Sequence, residues 1–193
     1  MSSLKDRIDL LENDLKADPP RISVYHDLPF ALLRYDPSDE WELRREACLL
    51  ATRLEKAGRR THFVQMSDLL WKAVEDSEGI QAVVELERDR GYVAAQEQLT
   101  TYLSDSDWQP LADLLATRFQ ELDPRTDLVF LVRAAAMAPG IYHMSKLLDE
   151  MKSRTKVTTI LFYPGSIEGT TGLRFMDLKD RDAPGNYRVK IYG

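Results

Sequence analysis

The strongest constraint on the fold is an unbroken apolar run near the middle of the chain. Residues 127–132 read Asp-Leu-Val-Phe-Leu-Val, without the alternation of polar and apolar positions that a half-exposed strand shows. Strands of this kind are typical of the centre of a parallel sheet, where helices cover both faces. The run therefore predicts an α/β fold.

Three further segments have the pattern of strands, at residues 29–35, 61–65 and 156–163. Helical periodicity fills the intervals between all four segments, and strands that alternate with helices imply parallel pairing. We expect a mainly parallel four-stranded sheet flanked by helices. No low-complexity linker interrupts the pattern, so residues 1–193 are expected to form a single domain.

The predicted helices include an amphipathic one within residues 1–18. Its stripe consists of Leu4, Ile8, Leu11 and Leu15. The sequence leaves open whether this stripe packs on the domain or docks on a partner. A second helix is predicted over residues 40–56, where Cys48 is interpreted as a small core residue because no catalytic base accompanies it.

The rest of the chain predicts a helical insertion, a further helix and a terminal pair of strands. The insertion spans residues 80–122, and a helix with a proline near its first turn is expected over 139–151. Residues 163–172 are interpreted as a flexible turn. The short segments 173–176 and 187–191 are expected to pair as a C-terminal edge hairpin.

The chain lacks the motifs of the common catalytic sites. Residues 35–39, between the first strand and its helix, contain no glycine, a proline and two aspartates, which excludes a P-loop or a dinucleotide fingerprint. One cysteine and three scattered histidines give no zinc-ligand spacing and no marked triad. We therefore expect no enzyme activity, no metal and no cofactor.

A ligand of an open parallel sheet would sit at the carboxyl ends of the strands. The candidates there are Arg34, Arg133, Tyr163 and Glu168. They support an alternative function as a sensor or enzyme for a nucleotide-like small ligand. Arg133 has a structural alternative as well, which is an ion pair with Asp36 or Glu168.

Charge and composition bear on partners and location. The formal net charge of −6 opposes DNA binding, although a basic strip of Lys179, Arg181, Arg188 and Lys190 leaves that function open. The single cysteine suits a reducing compartment, and the first residues alternate charges where a secretory signal would be apolar. A cytoplasmic protein without a membrane partner is expected.

Several stretches together resemble one protein family, although none is specific alone. They are residues 18–30, 102–105, 130–136 with Pro139 and Tyr142, 161–165, 172–175 and 186–191. In this combination and order the chain resembles the BrxB proteins of bacteriophage exclusion (BREX) systems.

The resemblance implies a component of a multi-protein antiphage complex. That complex also contains a DNA methyltransferase (PglX), an alkaline-phosphatase-like protein (PglZ) and a large ATPase (BrxC). The family provides no catalytic residues to transfer to this sequence. The resemblance therefore implies a small adaptor with PglZ as the expected partner, and with BrxC or PglX as alternatives.

Overall fold

A computed structural model describes residues 2–22, 28–168, 172–178 and 187–193. Within these ranges the helices are α1 (Leu4–Lys16), α2 (Glu40–Lys56), α3 (Met66–Asp76), α4 (Gly79–Arg90), α5 (Tyr92–Ser104), α6 (Leu111–Phe119) and α7 (Met144–Glu150). The strands are β1 (Phe30–Tyr35), β2 (Arg60–Gln65), β3 (Asp127–Val132), β4 (Thr158–Glu168), β5 (Gly172–Phe175) and β6 (Lys190–Tyr192). Short 3-10 turns cover Pro37–Asp39 and Ala134–Met137.

The sheet confirms the α/β prediction. Its strands lie in the order β2, β3, β4, β1, β6, and each neighbouring pair is parallel. The apolar run predicted as a central strand is β3, and its first five residues are buried. The described part of the sheet has six strands rather than four, because β6 joins β1 and β5 pairs antiparallel with β4.

The predicted C-terminal edge hairpin is wrong. β5 pairs with the far end of β4, whereas β6 lies parallel to β1 at the edge of the sheet. The reason is that β4 continues past Tyr163 to Glu168 and offers its backbone to β5. The flexible turn predicted over residues 163–172 is therefore also wrong as far as Glu168, and residues 169–171 lie outside the described ranges.

Helices cover both faces of the sheet. Apolar side chains of α1 and α2 pack on one face, which we call the α1/α2 face. Those of α3 to α7 pack on the other, which we call the α3–α7 face. Successive residues of a strand point to opposite faces, so Leu32 belongs to the α3–α7 core and Leu33 to the α1/α2 core.

Helix α1 packs on the domain with its whole apolar stripe, since Leu4, Ile8, Leu11 and Leu15 are all buried. Ser3 caps the helix by accepting the N–H of Asp6, whose carboxylate accepts the N–H of Ser3 in return. Polar contacts fix the helix to its neighbours. Glu12 binds Arg53 of α2 at 2.6 Å, and Asp14 accepts the hydroxyl of Tyr192 at 2.7 Å. The stripe is therefore core, and docking on a partner through it is excluded.

Helix α2 begins and ends where the sequence predicts, but Cys48 does not lie in the core. The buried face of this helix consists of Leu43, Ala47, Leu50, Ala51 and Leu54. Cys48 is exposed because, at about 100° per residue, it points away from the stripe that Leu43, Ala47 and Leu50 form. The interpretation of Cys48 as a core residue is wrong.

The segment after β3 also departs from the sequence prediction. The helix expected over residues 139–151 begins only at Met144, after an extended His143. Before it, Ala134–Met137 forms a 3-10 turn. The Pro139-Gly140 pair is typical of a turn and disfavours helix, which accounts for the late start.

Candidate binding groove between α2 and β2

The four predicted strand-end residues do not line a common pocket where the structure describes the chain. Arg34 and Tyr163 are register partners on β1 and β4. Tyr163 is fully buried on the α3–α7 face, where its ring lies 5.4 Å from that of Phe175 and 5.6 Å from that of Tyr187. Burial raises the pKa of its hydroxyl well above the usual range. The cavity beside it measures about 30 Å³, which suits one or two water molecules rather than a nucleotide.

Glu168 lies at the far end of β4, where it forms an ion pair with Arg174 of β5. The Asp36 carboxylate accepts the backbone N–H of Ser38 at 2.9 Å. The structural alternative for Arg133, a pair with either acid, is therefore not formed among the described residues. A ligand role for Arg34, Tyr163 and Glu168 stays a prediction.

Arg133 lines a groove on the α1/α2 face. It follows β3 directly and adopts a left-handed backbone, with φ 58° and ψ 36°. Such a conformation is unfavourable for a residue with a β-carbon, by roughly 1–2 kcal/mol. The surrounding packing must hold it there. Its place in the groove puts it on the sheet face opposite the Tyr163 ring.

The groove lies between α2 and the edge strand β2. Its lining comprises Glu40, Leu43, Arg44, Ala47, Cys48, Phe63, Gln65, Val132 and Arg133. The floor is apolar, with Leu43 and Ala47 buried, and Phe63 forms one wall with 41% of its surface exposed. Trp41, 77% exposed, lies at the start of the same helix. Large apolar side chains at this exposure are unusual enough to call for an explanation when they share one surface.

Glu40, the acidic residue at the α2 end of the groove, already has hydrogen-bond and ion-pair partners. Glu40 accepts the Tyr35 hydroxyl and the Nε of Arg44 at 2.7 Å. Burial and this carboxylate both raise the pKa of Tyr35, so its hydroxyl stays a donor. Arg44 in turn lies over the Trp41 ring, 4.6 Å from its centre. These contacts fix the helix end and leave little free charge there.

The opposite rim has groups without partners. The Oε1 atom of Gln65 is buried and accepts no hydrogen bond within the described part of the chain. Arg133 makes no ion pair with any described residue. A buried acceptor without a donor costs about 1–3 kcal/mol, so this rim is suited to a ligand that supplies an N–H and a negative charge.

Among the described strands, β2 is the last on its side of the sheet. The N–H of Arg60 donates to the carbonyl of Thr126 at 2.8 Å, so it points toward β3. Because backbone groups alternate in direction along a strand, the N–H groups of Thr61, Phe63 and Gln65 point outward. The groove is thus bordered by an open strand edge.

The base of β2 is tied to β3 by Asp127, which is almost fully buried. Its carboxylate accepts the N–H of Asp123 at 2.8 Å and lies 2.7 Å from the Nε of Arg60 and 3.3 Å from the Nε2 of His62. Burial alone would raise the pKa of Asp127, but the Asp123 amide, His62 and Arg60 together hold it below the usual range. These bonds keep the edge strand in register.

The predicted basic strip, and possible metal or membrane sites, give less support for ligand binding. In the basic strip, Lys190 is bound to Asp14, and Lys179 and Arg181 lie outside the described residues. Where the structure describes the chain, no three histidine, cysteine or acidic side chains are grouped to hold a metal ion. None of the helices in the described ranges is long and apolar enough to cross a membrane.

Sequence reasoning identified Arg133 but missed the groove around it. Phe63 and Gln65 were assigned to a strand whose edge position the sequence does not reveal. A partial signal was present in α2, because Trp41 and Cys48 fall outside the stripe formed by Leu43, Ala47 and Leu50. An apolar residue off the buried stripe of a helix is a candidate for contact with another molecule.

Comparison with known protein families identifies this chain's relatives. A family model described as BREX protein BrxB matches residues 62–191, about two thirds of the chain. The matched range begins within β2 and includes β3 and Arg133, and α1, β1 and α2 precede it. No curated protein matches this sequence.

Proposed function

The chain belongs to the BrxB family and is thus a component of a BREX antiphage system, and from that premise we propose that it is a non-catalytic adaptor that binds other BREX proteins, with PglZ as its main partner. BrxC and PglX are the alternative partners. The adaptor holds components of the defence complex together and contributes no catalytic group of its own.

The observation that carries the proposal is the exposed apolar surface at the start of α2. A solvent-exposed tryptophan beside a groove with an apolar floor is costly to leave in water and is typical of protein interfaces. Arginine, tyrosine and tryptophan are the residues in which interface energy concentrates. Arg44 and Arg133 line the groove and Trp41 lies against Arg44, so the surface has this composition.

Complex formation with purified partners tests the proposal. The chain is mixed with cognate PglZ, BrxC and PglX separately at micromolar concentration, and each mixture is analysed by size-exclusion chromatography with light scattering. We expect co-elution with PglZ. A Trp41→Ala variant is the interface probe, and Trp71→Ala, which removes an exposed tryptophan from α3, is its matched control. The absence of a complex with all three proteins would overturn the adaptor role.

A further inference from the structure

We propose that the open edge of β2 accepts an extended segment of the BREX partner as an additional strand, with one apolar side chain in the groove and a carboxylate at Arg133. This inference rests on the proposed function, because it names the surface and the chemistry through which the adaptor binds. It is carried by four observations on one side of the sheet.

The first observation is the direction of the backbone groups. The outward N–H groups of Thr61, Phe63 and Gln65 belong to a strand whose one neighbour in the described part of the chain is β3. An open edge of this kind pairs with the main chain of another segment. A small molecule or a helix would not satisfy three N–H groups spaced along a strand.

The second observation is the size and character of the groove. Its volume is about 230 Å³, below the roughly 300–1,000 Å³ of pockets that enclose a drug-sized ligand. One or two apolar side chains fill such a space. Phe63 lies on the same sheet face as the groove, so a side chain of an added strand opposite Phe63 points into it.

The third and fourth observations concern the polar rim. The unpaired Oε1 of Gln65 needs a donor, which a main-chain or side-chain N–H of the added segment supplies. Arg133 is exposed and forms no ion pair with a described residue, so its guanidinium is available to an anion. In the sheet register Phe63 is level with Phe130 and Gln65 with Val132, which places Arg133 just beyond Gln65. In the added segment, the residue that carries the carboxylate therefore lies about two positions from the residue whose apolar side chain fills the groove. Side chains two positions apart point to the same face of a strand.

A second copy of this chain fits the edge less well. Its own β2 reads Arg-Thr-His-Phe-Val-Gln and contains no carboxylate. Pairing of two β2 strands would leave Arg133 without an anion, because β2 supplies no carboxylate. Charge complementarity favours an acidic segment of a different protein.

Two substitutions test the edge and the rim. Gln65→Pro removes the outward N–H and the unpaired acceptor, and the backbone φ of −85° at this position is close to that of proline. Arg133→Asp reverses the charge with a residue that tolerates the left-handed conformation. We expect each to raise the Kd for the partner at least about tenfold. Arg88→Asp, a charge reversal at an exposed position of α4 on the opposite face of the sheet, is the control and should change Kd less than about twofold.

Amide hydrogen exchange followed by NMR tests the pairing itself, in the wild-type chain with and without the partner. The amides of Arg60, His62 and Val64 face β3 and should be protected in both states. Those of Thr61, Phe63 and Gln65 should become protected only in the complex. This alternation is specific to an added strand.

The outcomes separate the inference from the adaptor role. A complex that leaves the outward amides unprotected overturns strand addition and retains the adaptor. Protection that rises with concentration in the isolated chain identifies a second copy as the occupant and contradicts the proposal. Failure to form any BREX complex overturns both. Circular dichroism of Gln65→Pro and Arg133→Asp confirms that the variants fold; if they do not, the exchange measurement on the unmodified chain decides.

Discussion

Helix α1 offers a direct test of the packing, because two neighbouring leucines occupy opposite environments. Leu11 is fully buried against the sheet, whereas 58% of the surface of Leu10 is exposed. Replacing Leu11 by alanine removes roughly three methylene equivalents at about 0.8 kcal/mol each. The cavity left behind adds to this loss, so we expect the free energy of unfolding to fall by about 3 kcal/mol.

Leu10→Ala is the matched control and should change the free energy of unfolding by less than about 0.5 kcal/mol. Urea denaturation followed by circular dichroism measures both variants, and the midpoints are compared at a common slope. If Leu11→Ala cost no more than Leu10→Ala, α1 would not pack on the sheet in solution. The reasoning that excludes its stripe as a docking surface would then fail.

Three further predictions concern pH and ligands. The pKa of Asp127 is lowered in the folded chain, so its stabilising bonds are present above the unfolded-state pKa of about 3.9 and are lost as pH falls through the lower folded-state value. The free energy of unfolding, measured between about pH 3 and 7, should therefore fall in acid, and it should fall less steeply in Asp127→Asn. The same pH dependence in both proteins would contradict this role of Asp127. Nucleotides at millimolar concentration should leave the thermal midpoint unchanged, because the cavity at Tyr163 is too small for them, and a concentration-dependent rise would favour a ligand sensor. The chain should not retain duplex DNA at about 0.15 M salt, since Lys190 is already paired with Asp14 and the net charge is −6. Retention that weakens with added salt would support the basic strip as a DNA-binding site.

The elements that the sequence predicts well are those whose signal is local. The five apolar residues of β3 and the helical periodicity of α2 specify these elements without reference to the rest of the chain. The end of β4 is different. Pro164 and Gly165 are turn-forming residues, yet both lie within a strand because β5 supplies backbone partners. Pairing between distant segments overrides local preference here.

The groove was only partly predictable for the same reason. The position of Arg133 at the carboxyl end of a buried strand was visible in the sequence. The exposure of Phe63 and the orphan acceptor on Gln65 depend on β2 being an edge strand, and strand order is a property of the whole sheet. The exposure of Cys48 follows from its position around the helix relative to the buried stripe, which can be read from the sequence. The prediction instead followed the usual burial of cysteine.

Cys48 makes possible the most direct test that the chain binds another BREX protein through the α2–β2 surface. It is the one cysteine in the sequence, is exposed, and lies on the groove. A photo-crosslinker attached to it in the isolated chain, before the defence complex is assembled, should capture PglZ, whereas the same crosslinker on Asp89→Cys in a Cys48→Ser background, exposed on α4, should not. Equal capture from both positions, or none from Cys48 in a complex that contains the chain, would contradict the account.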